Sequence, residues 1–399
     1  MRTSLSLEEA QALLGALPPL GTQVLPSSAA LGRTLAGAVT APLDQPPFDR
    51  SPLDGYALRS SDLAGAGRYA PAVLDVVETV YAGSVPARAL GPGQAARVMT
   101  GAMLPAGCDC VAAQEDTDQG TPVSVPIFLP PRQNYIRRGE DYRAGETLFP
   151  AGARIDAAAV GVLASAGISQ VAVRRRPRVA VLATGDEVVP PGVHPLPPGK
   201  IYDANQALLL ARLAELGFPG AEGARVGDDP ERAAAAMAEL LEGCDLLITT
   251  GGVSVGDRDI LHQALPLLGA ERVFWKVRVK PGSPAMFSLW QGKPILSLSG
   301  NPFAAFTTFE LLARPLLAAL SGEAHLLPRR RAAVLDTPFP KASHGRRFIR
   351  GRLESGRLTL PAGHASGQLR SLAGCNCLAD IPAGSGPLEV EQEIEILML

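Results

Sequence analysis

Three short strings set carboxylates, hydroxyls and glycines where an apolar strand gives way to a loop. They are Thr184-Gly185-Asp186-Glu187, the run TTGGVSVGDRD from Thr249 to Asp259, and Leu298-Ser299-Gly300-Asn301-Pro302. Glycines let backbone N–H groups approach a bound group, and a helix opening downstream favours an anion. The acids after Gly185 read equally as the cap and first-turn acids of a helix. The second string is no Walker loop, because no G-K-[ST] follows. It does contain Gly252-Val253-Ser254-Val255-Gly256, which satisfies the G-x-S-x-G of serine hydrolases, with four of the five histidines downstream. A hydrolase acting through Ser254 is therefore one reading. Against it, that nucleophile belongs at the immediate strand-to-helix turn, whereas here TGGV separates Ser254 from the apolar strand.

Lysine usage is a second signal. Of 37 basic residues only five are lysine, at 200, 276, 280, 293 and 341. Two of these stand in Lys276-Val277-Arg278-Val279-Lys280-Pro281-Gly282, where period-2 alternation predicts that Lys276 and Lys280 share one face of a strand. A compact ammonium binds an oxyanion as a point charge where a forked guanidinium does not fit; two exposed strand lysines are the plainer alternative. Asp54 before Gly55 reads locally as a turn, and Arg137-Arg138-Gly139-Glu140-Asp141 as a solvated salt-bridge cluster.

The elements that must position these residues follow from pattern and length. A chain of 399 residues exceeds one ordinary core and predicts several domains. Apolar residues at 46%, with 42 glycines and 36 prolines dispersed along the chain, exclude a disordered or fibrous protein. A net charge of −2 leaves no global field for nucleic acid or an anionic membrane, so any anion site is local. There is no run of 18 apolar residues and no basic start followed by a long apolar run, which predicts a soluble, cytoplasmic protein. The cysteines, at 108, 110, 244, 375 and 377, have neither C-x-x-C spacing nor a nearby histidine pair, and read as buried free thiols.

Residues 1–18 predict a helix opened by a Ser6/Glu9 capping box, one that could pack on the middle domain. Residues 1–175 are otherwise turn-rich with short strands, and Asp156 to Ala166 read as a helix. From 176 to 325, strands of about five residues alternate with amphipathic helices, which predicts βαβ units and a parallel sheet. Residues 326–399 read as a small β-barrel. In an open α/β sheet ligands sit at the carboxyl ends of the strands, which is where the three strings fall.

Taken together and in order, these strings resemble the molybdopterin molybdenumtransferases, a family related to the C-terminal domain of gephyrin. The resemblance runs through PPFDRSPLDGYA, TGAMLPAGCD, QED, RRGEDYRAGE, ATGDEVV, IYDANQ, GDDP, TTGGVSVGDRD, FWKVRVKPGSPAMF, LSLSGNP and HASGQLRSLAG, nearly the whole chain. It implies a multi-domain α/β plus β fold: a molybdopterin-binding parallel α/β middle domain, β-rich N-terminal parts with about 43–141 inserted in the other, and a C-terminal barrel. It implies a homodimer whose cleft takes the middle and C-terminal domains of one subunit and the N-terminal part of the other. The reaction implied is adenylylated molybdopterin plus molybdate giving molybdenum cofactor plus AMP, with Mg²⁺ required. A molybdopterin adenylyltransferase supplying the substrate is the expected partner. By the same resemblance Lys276, Lys280, Arg350, Ser299 and Ser371 position molybdate or phosphate, and Gly251 and Gly252, with Ser254, Pro281 and Pro302 nearby, line the substrate site. Glu187, Asp228 and Asp259 hold the cation, with Glu187 and Asp259 also catalytic. Asp54, Thr100 and Asp141 are carried over as catalytic from matching positions. A non-catalytic, gephyrin-like scaffold is the remaining alternative.

Overall fold

The computed structural model describes residues 2–253 and 259–399. The chain divides into two compact units, one formed by residues up to Gln23 and from Arg174 onward, the other by Val24–Val173.

The first unit is built on a seven-stranded sheet. Its strands are β1 (Arg2–Leu5), β2 (Val179–Thr184), β3 (Glu222–Val226), β4 (Leu246–Thr250), β5 (Glu271–Val277), β6 (Met286–Trp290) and β7 (Lys293–Leu298), in the spatial order β1-β5-β6-β7-β4-β2-β3. Strands β7, β4, β2 and β3 are mutually parallel, β1 is parallel to β5, and β6 runs antiparallel to both its neighbours. Every residue of β2 and β4 is buried, and continuous apolar runs are what a sheet covered on both faces requires. The covering helices include α1 (Leu7–Gly15), α2 (Ala204–Glu215), α3 (Pro230–Gly243) and α4 (Leu261–Leu268). The Ser6/Glu9 capping box starts α1, which buries Leu7, Ala10 and Leu14. Asp203 caps α2 through the Gln206 N–H, and Asp229 caps α3 with Pro230 in its first turn.

The chain leaves β2 through α2 to β3 on one side, and α3 then carries it back across to β4 on the other. The strand order thus reverses between β2 and β4, and the crevice at their carboxyl ends is the natural ligand position. Beyond β7, helix α5 (Pro302–Thr308), a π segment Phe309–Ala313 and helix α6 (Arg314–Ser321) run end to end. Among the described residues this is the one stretch long and apolar enough to cross a membrane, and 94% of its most apolar window lies inside the fold. At its centre buried Glu310 accepts from Arg212 Nε and from an Arg314 Nη nitrogen, both at 2.7 Å.

The unit closes with a five-stranded barrel: β8 (Arg330–Leu335), β9 (Arg347–Glu354), β10 (Arg357–Thr359), β11 (Cys377–Ile381) and β12 (Glu393–Met398). Alternation is plain in β12, where Ile394 and Ile396 point inward and Glu393 and Glu395 outward. The turn after β5 is stitched to the barrel: the Lys280 N–H donates to the Arg346 carbonyl at 2.9 Å, and the Phe348 N–H to the Lys280 carbonyl at 2.7 Å.

The second unit holds a five-stranded sheet, ordered Cys110–Ala113, Gly55–Leu58, Gln94–Val98, Ala72–Val80 and Val123–Val125, a two-stranded pair Val39–Thr40 with Thr147–Phe149, and a helix Ala157–Ser165 capped by Asp156. All five cysteines are free thiols, and burial pushes Cys108, Cys110 and Cys377 up to about 12.

Candidate functional site

The carboxyl ends of β2, β4 and β7 open into a cavity of about 1520 Å³ whose opposite wall is the barrel. The strand-end loops meet backbone to backbone. Gly251 has φ +97°, and a Cβ there would lie 2.6 Å from the Thr184 carbonyl oxygen, so no other residue fits this crossing. Thr250 Oγ1 donates to the Ser299 carbonyl at 3.1 Å. Asn205, in the first turn of α2, donates to Thr250 Oγ1 and to the Gly300 carbonyl, both at 2.8 Å. Its own Oδ1 is buried with no protein partner. Asn205 lies inside the IYDANQ string, yet its stitching role is invisible locally because both partners come from distant strands.

One wall is acidic. Glu187, Asp228 and Asp259 all line the cavity. Asp228 is held by an exchange with Asp186: the Asp228 N–H donates to Asp186 Oδ1 at 3.0 Å and the Asp186 N–H to Asp228 Oδ2 at 3.3 Å. The sequence reading of a helix starting after Gly185 is overturned, since the next helix begins only at Ala204 and Glu187 precedes a two-residue strand, Val188–Val189. Asp259 lies just ahead of α4, which starts at Leu261.

The lining also carries basic groups. Lys280, Lys341 and Arg347 line the cavity together with His364. Lys276 does not join Lys280 there. The strand ends at Val277 and Lys276 has φ +67°, which breaks the alternation that put both on one face; the Lys276 ammonium rests 4.1 Å from the centre of the Trp275 ring. Arg350 also differs from expectation. It is fully buried behind the wall, stacked 3.7 Å over the Phe303 ring, and donates to the carbonyls of Gln368 and of Ala365, the latter at 2.8 Å. Burial pulls its proton affinity down. Arg350 thus supports the 365–368 loop, which lines the cavity, without lining it itself. Ser371 is outside the lining as well, and its hydroxyl donates to the Gln368 carbonyl at 3.2 Å.

Of the remaining expected substrate residues, Gly251, Gly252, Pro281, Ser299 and Pro302 line the cavity, and Ser254 lies outside the described residues. In the second unit Asp54 and Thr100 form a pair: Asp54 Oδ1 accepts from the Thr100 N–H at 2.7 Å and from its hydroxyl at 2.8 Å. These two bonds hold the Asp54 carboxyl below its ordinary value. Asp141 is exposed, and its N–H donates to the Gln45 carbonyl at 2.9 Å. The sequence reading missed Asn205, Lys341, Arg347 and His364. The basic run RRFIRGR at 346–352 and the scarcity of lysine are signals that point to the cationic pair Arg347 and Lys341, and His364 opens the HASGQLRSLAG string without a role of its own being marked there.

Three family models match the chain in order: "MoeA N-terminal region (domain I and II)" over residues 5–167, "Probable molybdopterin binding domain" over 180–319, and "MoeA C-terminal region (domain IV)" over 332–399. A molybdopterin molybdenumtransferase of Bacillus subtilis (strain 168) is 35% identical over 380 residues, covering 92% of this chain and 88% of its own. One from Staphylococcus aureus (strain Mu50 / ATCC 700699) is 34% identical over 373 residues, covering 92% and 89%. The crystal structure of a molybdopterin biosynthesis moeA protein from Pyrococcus horikoshii is 31% identical with a TM-score of 0.86, covering 99% of each chain.

Proposed function

The chain belongs to the molybdopterin molybdenumtransferase family, a family of transferases in molybdenum cofactor biosynthesis, and on that premise we propose that its cavity transfers molybdenum from molybdate to adenylylated molybdopterin, releasing AMP, in a reaction that requires Mg²⁺. The observation that carries the reading is a mixed lining: carboxylates from the loops after the sheet strands and cations from the barrel side and the turn bonded to it border one space of about 1520 Å³. Both substrates are anions, so a cavity holding only anion binders would serve for binding alone. At about 4 Å two like charges repel by about 4 kcal/mol at an effective dielectric near 20, so carboxylates beside a phosphoanhydride call for a cation between them.

The donor set fits Mg²⁺. Glu187, Asp228 and Asp259 are hard oxygen donors on one wall. Among the described residues no three His, Cys, Asp or Glu side chains form a ready metal cluster, and Mg²⁺ needs none, because it keeps several waters and binds through one or two carboxylates plus substrate phosphates. Bound there, the ion would supply neutralisation of the phosphoanhydride and of the leaving AMP. The chain's own groups do the rest. Lys280, Arg347 and Lys341 attract and orient oxyanions, the Gly251-Gly252 backbone lets a phosphate or pterin edge approach, and Asn205 keeps the loops in register.

The proposal includes a homodimer, in which Asp54, Thr100 and Asp141 of one copy complete the cavity of the other, and a preceding adenylyl transfer to molybdopterin by a separate enzyme. The hydrolase and scaffold readings give way: the family is one of transferases, and neither alternative uses both sets of charges. The test is AMP release from adenylylated molybdopterin. The reading expects release that requires molybdate and falls when Mg²⁺ is chelated; release at the same rate without molybdate would count against it.

A further inference from the structure

The barrel side of the cavity carries polar nitrogens that the fold leaves without protein partners. His364 Nδ1 and Arg347 Nε are both buried at the atom and accept or donate no hydrogen bond within the chain, and both residues line the cavity. They share one platform: the imidazole meets the Phe339 ring edge-on with centroids 5.4 Å apart, and the Arg347 guanidinium lies 5.5 Å from the same ring centre. Lys341 follows two residues after Phe339 and lines the same wall. An unpaired buried polar atom costs free energy, and these two, screened from solvent while other atoms of the same residues line the cavity, meet a ligand once the side chains turn toward it.

The charge around the imidazole defines the ligand. The charged groups that act on His364 are Arg350 and Arg347 from β9 and Lys341 from the segment after Phe339, all cationic. Burial first, and these three cations after it, hold the imidazole below its ordinary value. The same causes favour the neutral ring while no anion is bound. A dianion placed between Arg347 and Lys341 offsets two of these three positive charges and, as a hydrogen-bond acceptor beside the ring, favours its protonated form, which donates from both nitrogens.

We propose that His364, Arg347 and Lys341 form a subsite for a tetrahedral dianionic oxyanion, and that binding there is coupled to uptake of one proton by His364. This rests on the transferase reading of the cavity and adds to it a positioning residue and a proton linkage. The same chemistry suits free molybdate or the phosphate of the nucleotide. Coupling is reciprocal, so whatever anion binding does to the proton affinity of His364, protonation does to the anion affinity. The affinity should then rise as pH falls, by up to about tenfold per pH unit while one proton is taken up.

Calorimetric titration of the full chain with molybdate, in buffers of different ionisation enthalpy between about pH 6.5 and 8.5, reads the linkage directly. The expectation is uptake approaching about one proton per molybdate near the lower end, with affinity rising toward low pH. His364→Gln should retain binding at high pH but lose both the uptake and the pH slope. Arg347→Met should lower affinity by about 10- to 100-fold. If saturating AMP abolishes the molybdate-linked uptake, the subsite takes the nucleotide phosphate; if uptake persists, it takes the free oxyanion. Wild-type binding without proton uptake overturns the proposal, and needs no variant to fold. So does a His364→Gln protein of normal melting temperature whose affinity falls equally at every pH, the mark of a merely structural residue. Because binding is read without turnover, a failure to release AMP would count against the transferase reading and leave the subsite standing.

Discussion

Lys280 reaches the cavity from a turn whose backbone is bonded on both sides of the residue to the barrel, at Arg346 and Phe348. Its ammonium is therefore presented from a fixed base, and its loss removes a charge without loosening the wall. Lys280→Ala is expected to raise the molybdate concentration needed for insertion by about 10- to 100-fold, the worth of one charge-assisted contact, while adenylylated pterin binding stays nearly unchanged. Equal losses for both ligands would mark a structural residue. Asp259, which also lines the cavity, is the proposed cation holder. Asp259→Asn should fold normally and bind the pterin at least as well, with AMP release reduced by orders of magnitude and partly restored by extra Mg²⁺. A rate independent of Mg²⁺ concentration in the variant would remove the cation-holding role.

At the scale of elements, the site depends on strand ends that nearly touch. Gly251→Ala would place a methyl group 2.6 Å from the Thr184 carbonyl in a backbone at φ +97°. A cost of order 1–3 kcal/mol is expected in denaturant unfolding, with activity lost beyond what stability explains because the loop must shift. A neutral substitution would show that the crossing is not tight. These loops were legible in the sequence because buried parallel strands read as continuous apolar runs, VAVLAT and LLITT, that end in glycine or Thr-Gly. Strand β1 was not, since RTSL is four residues long with three of them exposed, and only pairing with β5 makes it a strand. The lysine alternation failed for a related reason: the positive φ at Lys276 depends on the turn that carries the chain toward the barrel, a tertiary demand that period-2 counting does not contain. The barrel wall of the site was missed because Phe339, Arg347 and His364 are brought together by barrel closure and not by spacing.

At the scale of the molecule, the long buried helix both fills the core and fastens the barrel. Arg314 donates through Nε to the Leu326 carbonyl at 2.8 Å and through an Nη nitrogen to the Met398 carbonyl at 3.3 Å, while Glu310 holds both Arg314 and Arg212. Glu310→Ala would take the only carboxylate the described contacts give buried Arg314 and leave Arg212 with Glu215 alone, and should destabilise the fold by about 3–5 kcal/mol in equilibrium unfolding. A change under about 1 kcal/mol would mean that water reaches the cluster. The proposed dimer makes its own prediction. An Asp54→Asn subunit co-expressed with an Asp259→Asn subunit should recover part of the activity that each variant lacks alone, because mixed dimers hold one unaltered site. Absence of any recovery in verified mixed dimers would place both residues in the same subunit's site.

In the proposed reaction one cavity couples molybdenum transfer to loss of AMP. Single-turnover measurement of molybdenum gained by the pterin against AMP released tests it most directly. One molybdenum atom is expected to be transferred for each AMP, with both falling together in Glu187→Gln and in Lys280→Ala at limiting molybdate. AMP release that continues at full rate while molybdenum transfer fails in these variants, or molybdenum transfer with AMP retained, would contradict it.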